Sequence, residues 1–120
     1  MVQLTQVNNQ LKQKIMNKDY VMRTAQTIKD QLLSFTPMPV FMSWGVCEFV
    51  ATVFRELPAL RLRVNGRLHA GYVVIALNGS DYYEVYLQKE DDDNAKCVNE
   101  EVCFDELGDV IDRAIESGAD

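Results

Sequence analysis

Two Asn-Gly dipeptides, Asn65-Gly66 and Asn78-Gly79, constrain what this chain can fold into more than any other feature. Asn-Gly is a preferred hairpin turn, because both residues tolerate positive φ. Before the first, Leu60, Leu62 and Val64 alternate with Arg61 and Arg63, the two-residue period of a strand buried on one face. Between the two turns, Leu68 to Leu77 is apolar nearly throughout and reads as a central strand. After the second, Ser80-Asp81 leads into Tyr82-Tyr83-Glu84-Val85-Tyr86-Leu87. Residues 60–87 therefore read as a three-stranded antiparallel meander. Cys97 to Phe104 alternates again, with Val98, Val102 and Phe104 on one face, and predicts a further strand.

A sheet with one apolar face needs a covering layer. Leu4, Val7, Leu11, Ile15, Met22, Ala25, Ile28 and Leu32 recur near the helical period. One helix over residues 4–34 would be roughly 45 Å long, which exceeds a domain of this size. A break at Asn17-Lys18-Asp19 is expected, with Asp19 capping the second part. Thr36-Pro37-Met38-Pro39 ends the helical segment. At the other end, Asp105 is placed to cap a helix whose apolar face is Leu107, Val110, Ile111, Ala114 and Ile115, and Gly118 stands where it stops. Residues 40–57 read two ways. Val46, Phe49, Val50, Val53, Phe54 and Leu57 fit a helix, while the β-branched and aromatic content fits strands. The expected fold is one α+β domain over 1–120. An antiparallel sheet of four to six strands (37–104) is flanked by an N-terminal helical segment (1–36) and a C-terminal helix (105–117).

With 48% hydrophobic and 25% charged residues, the 120-residue chain has globular composition. No stretch nears the ~18 apolar residues of a membrane span, and the polar start lacks the blocks of a secretory signal. Three cysteines, Cys47, Cys97 and Cys103, make a disulfide framework unexpected and point to a reducing cytoplasm. The net charge of −6 is unevenly distributed. Residues 1–87 carry nine Lys/Arg against six Asp/Glu, and residues 88–120 carry three against twelve. Such an acidic end disfavours direct binding to nucleic acid or anionic membranes.

No motif announces catalysis. Cys97 and Cys103 are six residues apart, roughly 20 Å in a strand, which is too far for a disulfide and wrong for a zinc knuckle. His69, the only histidine, would have to serve any imidazole chemistry; a sheet-face histidine bonded to a neighbour is the plainer reading. No glycine-rich phosphate loop occurs, and no cofactor or metal is expected. The acidic residues read as solvated surface. Arg61, Arg63, Arg67, Tyr82 and Tyr86 form the most suggestive set, since arginine and tyrosine dominate binding hot spots. The alternative is that Arg61 and Arg63 cover the sheet's wet side. Trp44 reads as core.

Ser43-Trp44-Gly45, Leu60-x-Leu-x-Val-x-Gly66, His69-x-Gly71-Tyr72-Val73-x-Ile75, Asp81-x-Tyr83-x-Val85 and Val102-x-x-Asp105-x-Leu107-x-x-x-Ile111-Asp112 together resemble small uncharacterised proteins of gut Bacteroidetes mobile or phage-like elements. The likeness covers roughly residues 41–116. It implies strands in 40–57 and no known activity. The leading expectation is a non-enzymatic protein-binding or accessory module, with a homodimer through the N-terminal helix as one form of partner. A second is an acidic mimic of nucleic acid that sequesters a basic DNA- or RNA-binding protein through Asp91, Asp92 and Asp93. A third is a small-substrate enzyme near His69 and Tyr83.

Overall fold

The computed structural model describes residues 17–91 and 94–118. Leu4 to Ile15 of the helical pattern, and Asp92 and Asp93, lie outside the described residues. The architecture is α+β. Five strands, β1 (Glu48–Phe54), β2 (Leu57–Asn65), β3 (Ala70–Leu77), β4 (Tyr83–Gln88) and β5 (Ala95–Val102), form one antiparallel sheet in sequence order. Helix α1 (Lys18–Ser34) lies across β1 and β2. The short α2 (Met38–Ser43) and the C-terminal α3 (Leu107–Asp112), which continues as a π-helical turn to Ser117, complete the covering layer.

The meander of residues 60–87 is present as β2–β3–β4, in register Leu60 to Ile75 to Val85. Its turns differ from the expected ones. Neither Asn65 nor Gly66 has positive φ. Gly66 instead opens a loop in which its own N–H bonds the His69 carbonyl at 3.0 Å. Glycine is needed there because a Cβ would overlap the carbonyl oxygen of Ile115 on the C-terminal helix. At the second turn, Asp81 takes the left-handed conformation (φ 65°), while the Asn78 side chain accepts from the N–H groups of Ser80 and Tyr82.

In residues 40–57 the helical spacing of Val46 to Leu57 does not give a helix: Phe49, Val50, Val53 and Phe54 lie in β1 and Leu57 opens β2, while the strand-like Val40–Ser43 lies in α2. Pro39 falls in the first turn of α2, where its missing N–H costs nothing. Gly45 (φ 61°) turns the chain, and the β-branched Val50, Thr52 and Val53 enter β1. The β1–β2 connection is two residues, Arg55 and Glu56, both at positive φ (51° and 67°). That geometry suits a hairpin's twist but normally selects Asn or Gly.

Two caps also differ. Asn17, not Asp19, caps α1, its side chain accepting from Tyr20 N–H at 2.8 Å. Asp105 does not cap α3; Glu106 precedes it without a side-chain cap bond. Ala25, Ile28 and Leu32 of α1, Leu107, Ile111 and Ile115 of the C-terminal helix, and Leu60, Leu62, Val73, Ile75 and Val85 of the sheet bury together around Trp44. Each large side chain so buried contributes about 1.5–3 kcal/mol. Trp44 joins the layers: its carbonyl accepts from Asn65 N–H, and its indole N–H donates to Asp112 Oδ1 at 2.9 Å.

Candidate partner-binding site

On the solvent side of the sheet, Arg61 pairs across to Val74, Val74 to Tyr86, and Arg63 to Tyr72. The pleat therefore brings Arg61, Arg63 and Tyr86 onto one face. Each is engaged within the fold. The Arg61 guanidinium lies over the Tyr72 ring, 4.5 Å from its centroid, with its Nε buried and without an acceptor among the described residues. Arg63 pairs with Glu90 at 2.7 Å, and that carboxylate holds the guanidinium still more firmly protonated.

Tyr86 is a correction to the expected contact set. It is buried, because the β1–β2 hairpin curls over the small Ala59 and Ala76 and lays Phe54 against it at 4.6 Å. Arg55 caps the pair, within 5.0 Å of the Phe54 centroid and 4.9 Å of the Tyr86 centroid. The Tyr86 hydroxyl donates to Glu84 Oε1 at 2.7 Å. Burial, with that bond, pushes its pKa up to about 12. Tyr82 is exposed at the turn before β4 and outside this cluster.

Arg67 is a second correction. It faces the C-terminal helix, donating from Nε to the Glu116 carbonyl and from its terminal nitrogen to the Gly118 carbonyl, while its own N–H bonds the Glu116 carboxylate. It satisfies carbonyls left open at the helix end, which is a structural task. Asp91 is exposed on the β4–β5 loop.

The residues considered for chemistry do not converge. Tyr83 is buried at the start of β4 and donates to Gln31 at 2.6 Å. His69 stands at the other end of the sheet, roughly 25 Å away along β3 at about 3.3 Å per residue. Its Nε2 bonds the Tyr72 carbonyl at 3.1 Å. The three cysteines are free and exposed; burial and nearby carboxylates push the thiols of Cys97 and Cys103 up. Among the described residues, no three His, Cys, Asp or Glu side chains are grouped to hold a metal ion. None of the described helices is long and apolar enough to cross a membrane.

The free surface lies elsewhere. Phe35, at the end of α1, and Phe104, just after β5, meet edge to face at 5.3 Å, yet are 49% and 47% exposed. Met38 and Met42, one turn apart on α2, are exposed three and seven residues beyond Phe35. Phe104 is flanked by exposed Glu100, Glu101, Asp105 and Glu106, none of which forms an ion pair with a described residue. Comparison with protein-family models, with curated proteins and with solved structures yields no match.

The aromatic pair was hidden in the sequence because its partners are 69 positions apart. The alternation from Cys97 predicts Phe104 on one face with Val98 and Val102. Val102 is buried, but the strand ends there, and Phe104 turns outward.

Proposed function

We propose that this chain is a non-enzymatic protein-binding module that captures a basic partner. One observation carries the reading: two aromatic rings held together, half-exposed, beside a set of exposed carboxylates that form no ion pair with a described residue. An exposed aromatic and methionine surface is where contact energy concentrates. The carboxylates around Phe104 favour a partner whose apolar anchor is ringed by lysine or arginine, and steer its approach. A protein that ordinarily holds nucleic acid through such a surface meets this description. An accessory role of this kind also suits the mobile-element setting that the sequence resemblance implies.

The homodimer expected through the N-terminal helix turns on residues 4–16, outside the described residues. Within α1, Val21, Ala25, Ile28 and Leu32 are already buried in the fold.

The experiment is capture from the native host with wild type, with Phe35→Ser/Phe104→Ser, and with Glu100→Lys/Glu101→Lys. The reading expects a basic protein retained by wild type, lost from both variants and released by moderate salt. A captured set identical for all three proteins would overturn it.

A further inference from the structure

At the opposite end of β5 from Phe104, four segments leave a cavity of about 430 Å³. Leu68 and His69 come from the β2–β3 loop, Leu87 and Lys89 from the end of β4, Ala95 and Lys96 from the start of β5, and Ala114 from the C-terminal helix. This volume is in the range of small-molecule sites.

Its charge is opposite to that of its surroundings. Residues 88–120 contain only three basic side chains, Lys89, Lys96 and Arg113, against twelve Asp/Glu. Two of those three line this one cavity, with the only histidine of the chain, and no carboxylate of a described residue lines it. Neither lysine forms an ion pair with a described residue. The wall behind them is apolar, formed by Leu68, Leu87, Ala95 and Ala114.

The backbone fixes this geometry. Gly71 has φ 151°, a conformation side chains avoid. A Cβ there would meet the Gln88 carbonyl oxygen at 2.6 Å and His69 Nε2 at 3.3 Å. Glycine thus lets the end of β4 close on the imidazole. Since the Tyr72 carbonyl can only accept, His69 Nε2–H donates to it at 3.1 Å, which fixes the ring beside the cavity.

We infer that this cavity binds a small organic anion, one carboxylate or phosphate head held by Lys89 and Lys96 with a short apolar body against Leu68, Leu87 and Ala114. The inference is independent of the aromatic surface and of the partner proposed for it. Binding by so few heavy atoms is expected near a Kd of about 1 mM.

The test is an amide NMR titration of the full chain with hexanoate and hexyl phosphate, against inorganic phosphate and hexylammonium. Saturable shifts are expected at Leu68, His69, Ala95 and Ala114 with both organic anions. Inorganic phosphate should bind at least about fivefold more weakly and hexylammonium should leave these amides unmoved. The preference between the two organic anions identifies the head group. Lys89→Gln/Lys96→Gln, two exposed positions whose loss leaves the core intact, should weaken binding about tenfold. Absence of saturation by about 10 mM would overturn the inference. So would inorganic phosphate binding as well as the organic anions, or affinity unchanged in the double variant.

Discussion

Trp44→Phe is the perturbation that most directly tests how the layers are joined. Trp44 is fully buried, and its indole N–H donates to Asp112 Oδ1, whose other oxygen accepts from Ser117 Oγ at 2.6 Å. Phenylalanine keeps an aromatic ring but removes the donor. A hydrogen bond to a charged acceptor is worth about 1.5–3 kcal/mol net. The smaller ring leaves roughly 40 Å³ unfilled, which costs about 1 kcal/mol at ~24 cal/mol per Å³. Together these predict a loss near 3 kcal/mol, a large share of the ~5–15 kcal/mol holding a domain of this kind. The melting temperature should fall by roughly 10–20 °C. The assay is urea denaturation followed by far-ultraviolet circular dichroism, since the variant has no tryptophan to report by fluorescence. Asp112→Asn is the control: its amide oxygen still accepts from the indole and its amide nitrogen can serve Ser117, so it should cost less than Trp44→Phe. A Trp44→Phe loss below about 1 kcal/mol, the ordinary cost of a point substitution, would refute the reasoning.

Two further predictions concern other contacts. The Tyr86 hydroxyl, raised by burial and its bond to Glu84 to about 12, has a folded pKa above the unfolded value of about 10; its contribution is fully present below pH 10 and lost as pH rises toward 12. Tyr86→Phe should therefore flatten the alkaline fall in stability by up to about one proton, and superimposable pH profiles for the two proteins would show the hydroxyl to be uninvolved. A Cβ at Gly108 would overlap the hydroxyl of buried Thr36, which has no hydrogen-bond partner among the described residues, so Gly108→Ala should destabilise by about 1–3 kcal/mol despite alanine's better helix propensity. In a Thr36→Ala background much of that penalty should disappear; a double-mutant cycle with simply additive losses would rule out the contact.

Local pattern and the finished fold agree where a segment presents one apolar face to one core. Alternation in Leu60–Val64 and the helical stripe of Leu107, Ile111 and Ile115 survive into the structure because each presents one apolar face to one core. β1 was ambiguous for a physical reason: its hairpin turns on Arg55-Glu56, two residues that carry no turn signal yet adopt left-handed φ. The functional surfaces were legible only in part. Arg61 and Arg63 were correctly placed on one face, but period alone cannot say that Tyr72 lies beneath one and Glu90 beside the other. Arg67 looked like a third member, until the C-terminal helix, some fifty residues away in sequence, turned out to be its acceptor. The gathering of His69, Lys89 and Lys96 depends on antiparallel register, which places the ends of β3, β4 and β5 side by side.

That same register separates the two proposed surfaces. The aromatic pair adjoins the last residue of β5, and the basic cavity adjoins its first. Eight residues of strand at about 3.3 Å each put them roughly 25 Å apart. The Debye length at physiological ionic strength is about 8 Å, so direct charge coupling across that distance is almost wholly screened. Neutralising Lys89 and Lys96 should therefore leave capture at Phe35 and Phe104 unchanged, and charge reversal at Glu100 and Glu101 should leave the small-anion affinity unchanged. If either substitution did alter the distant surface, the effect would have to travel through packing. The connecting strand offers a specific route: β5 pairs irregularly with β4, with register shifts between Tyr83 and Val85 and between Val85 and Tyr86, so its two halves need not move as one rigid ladder.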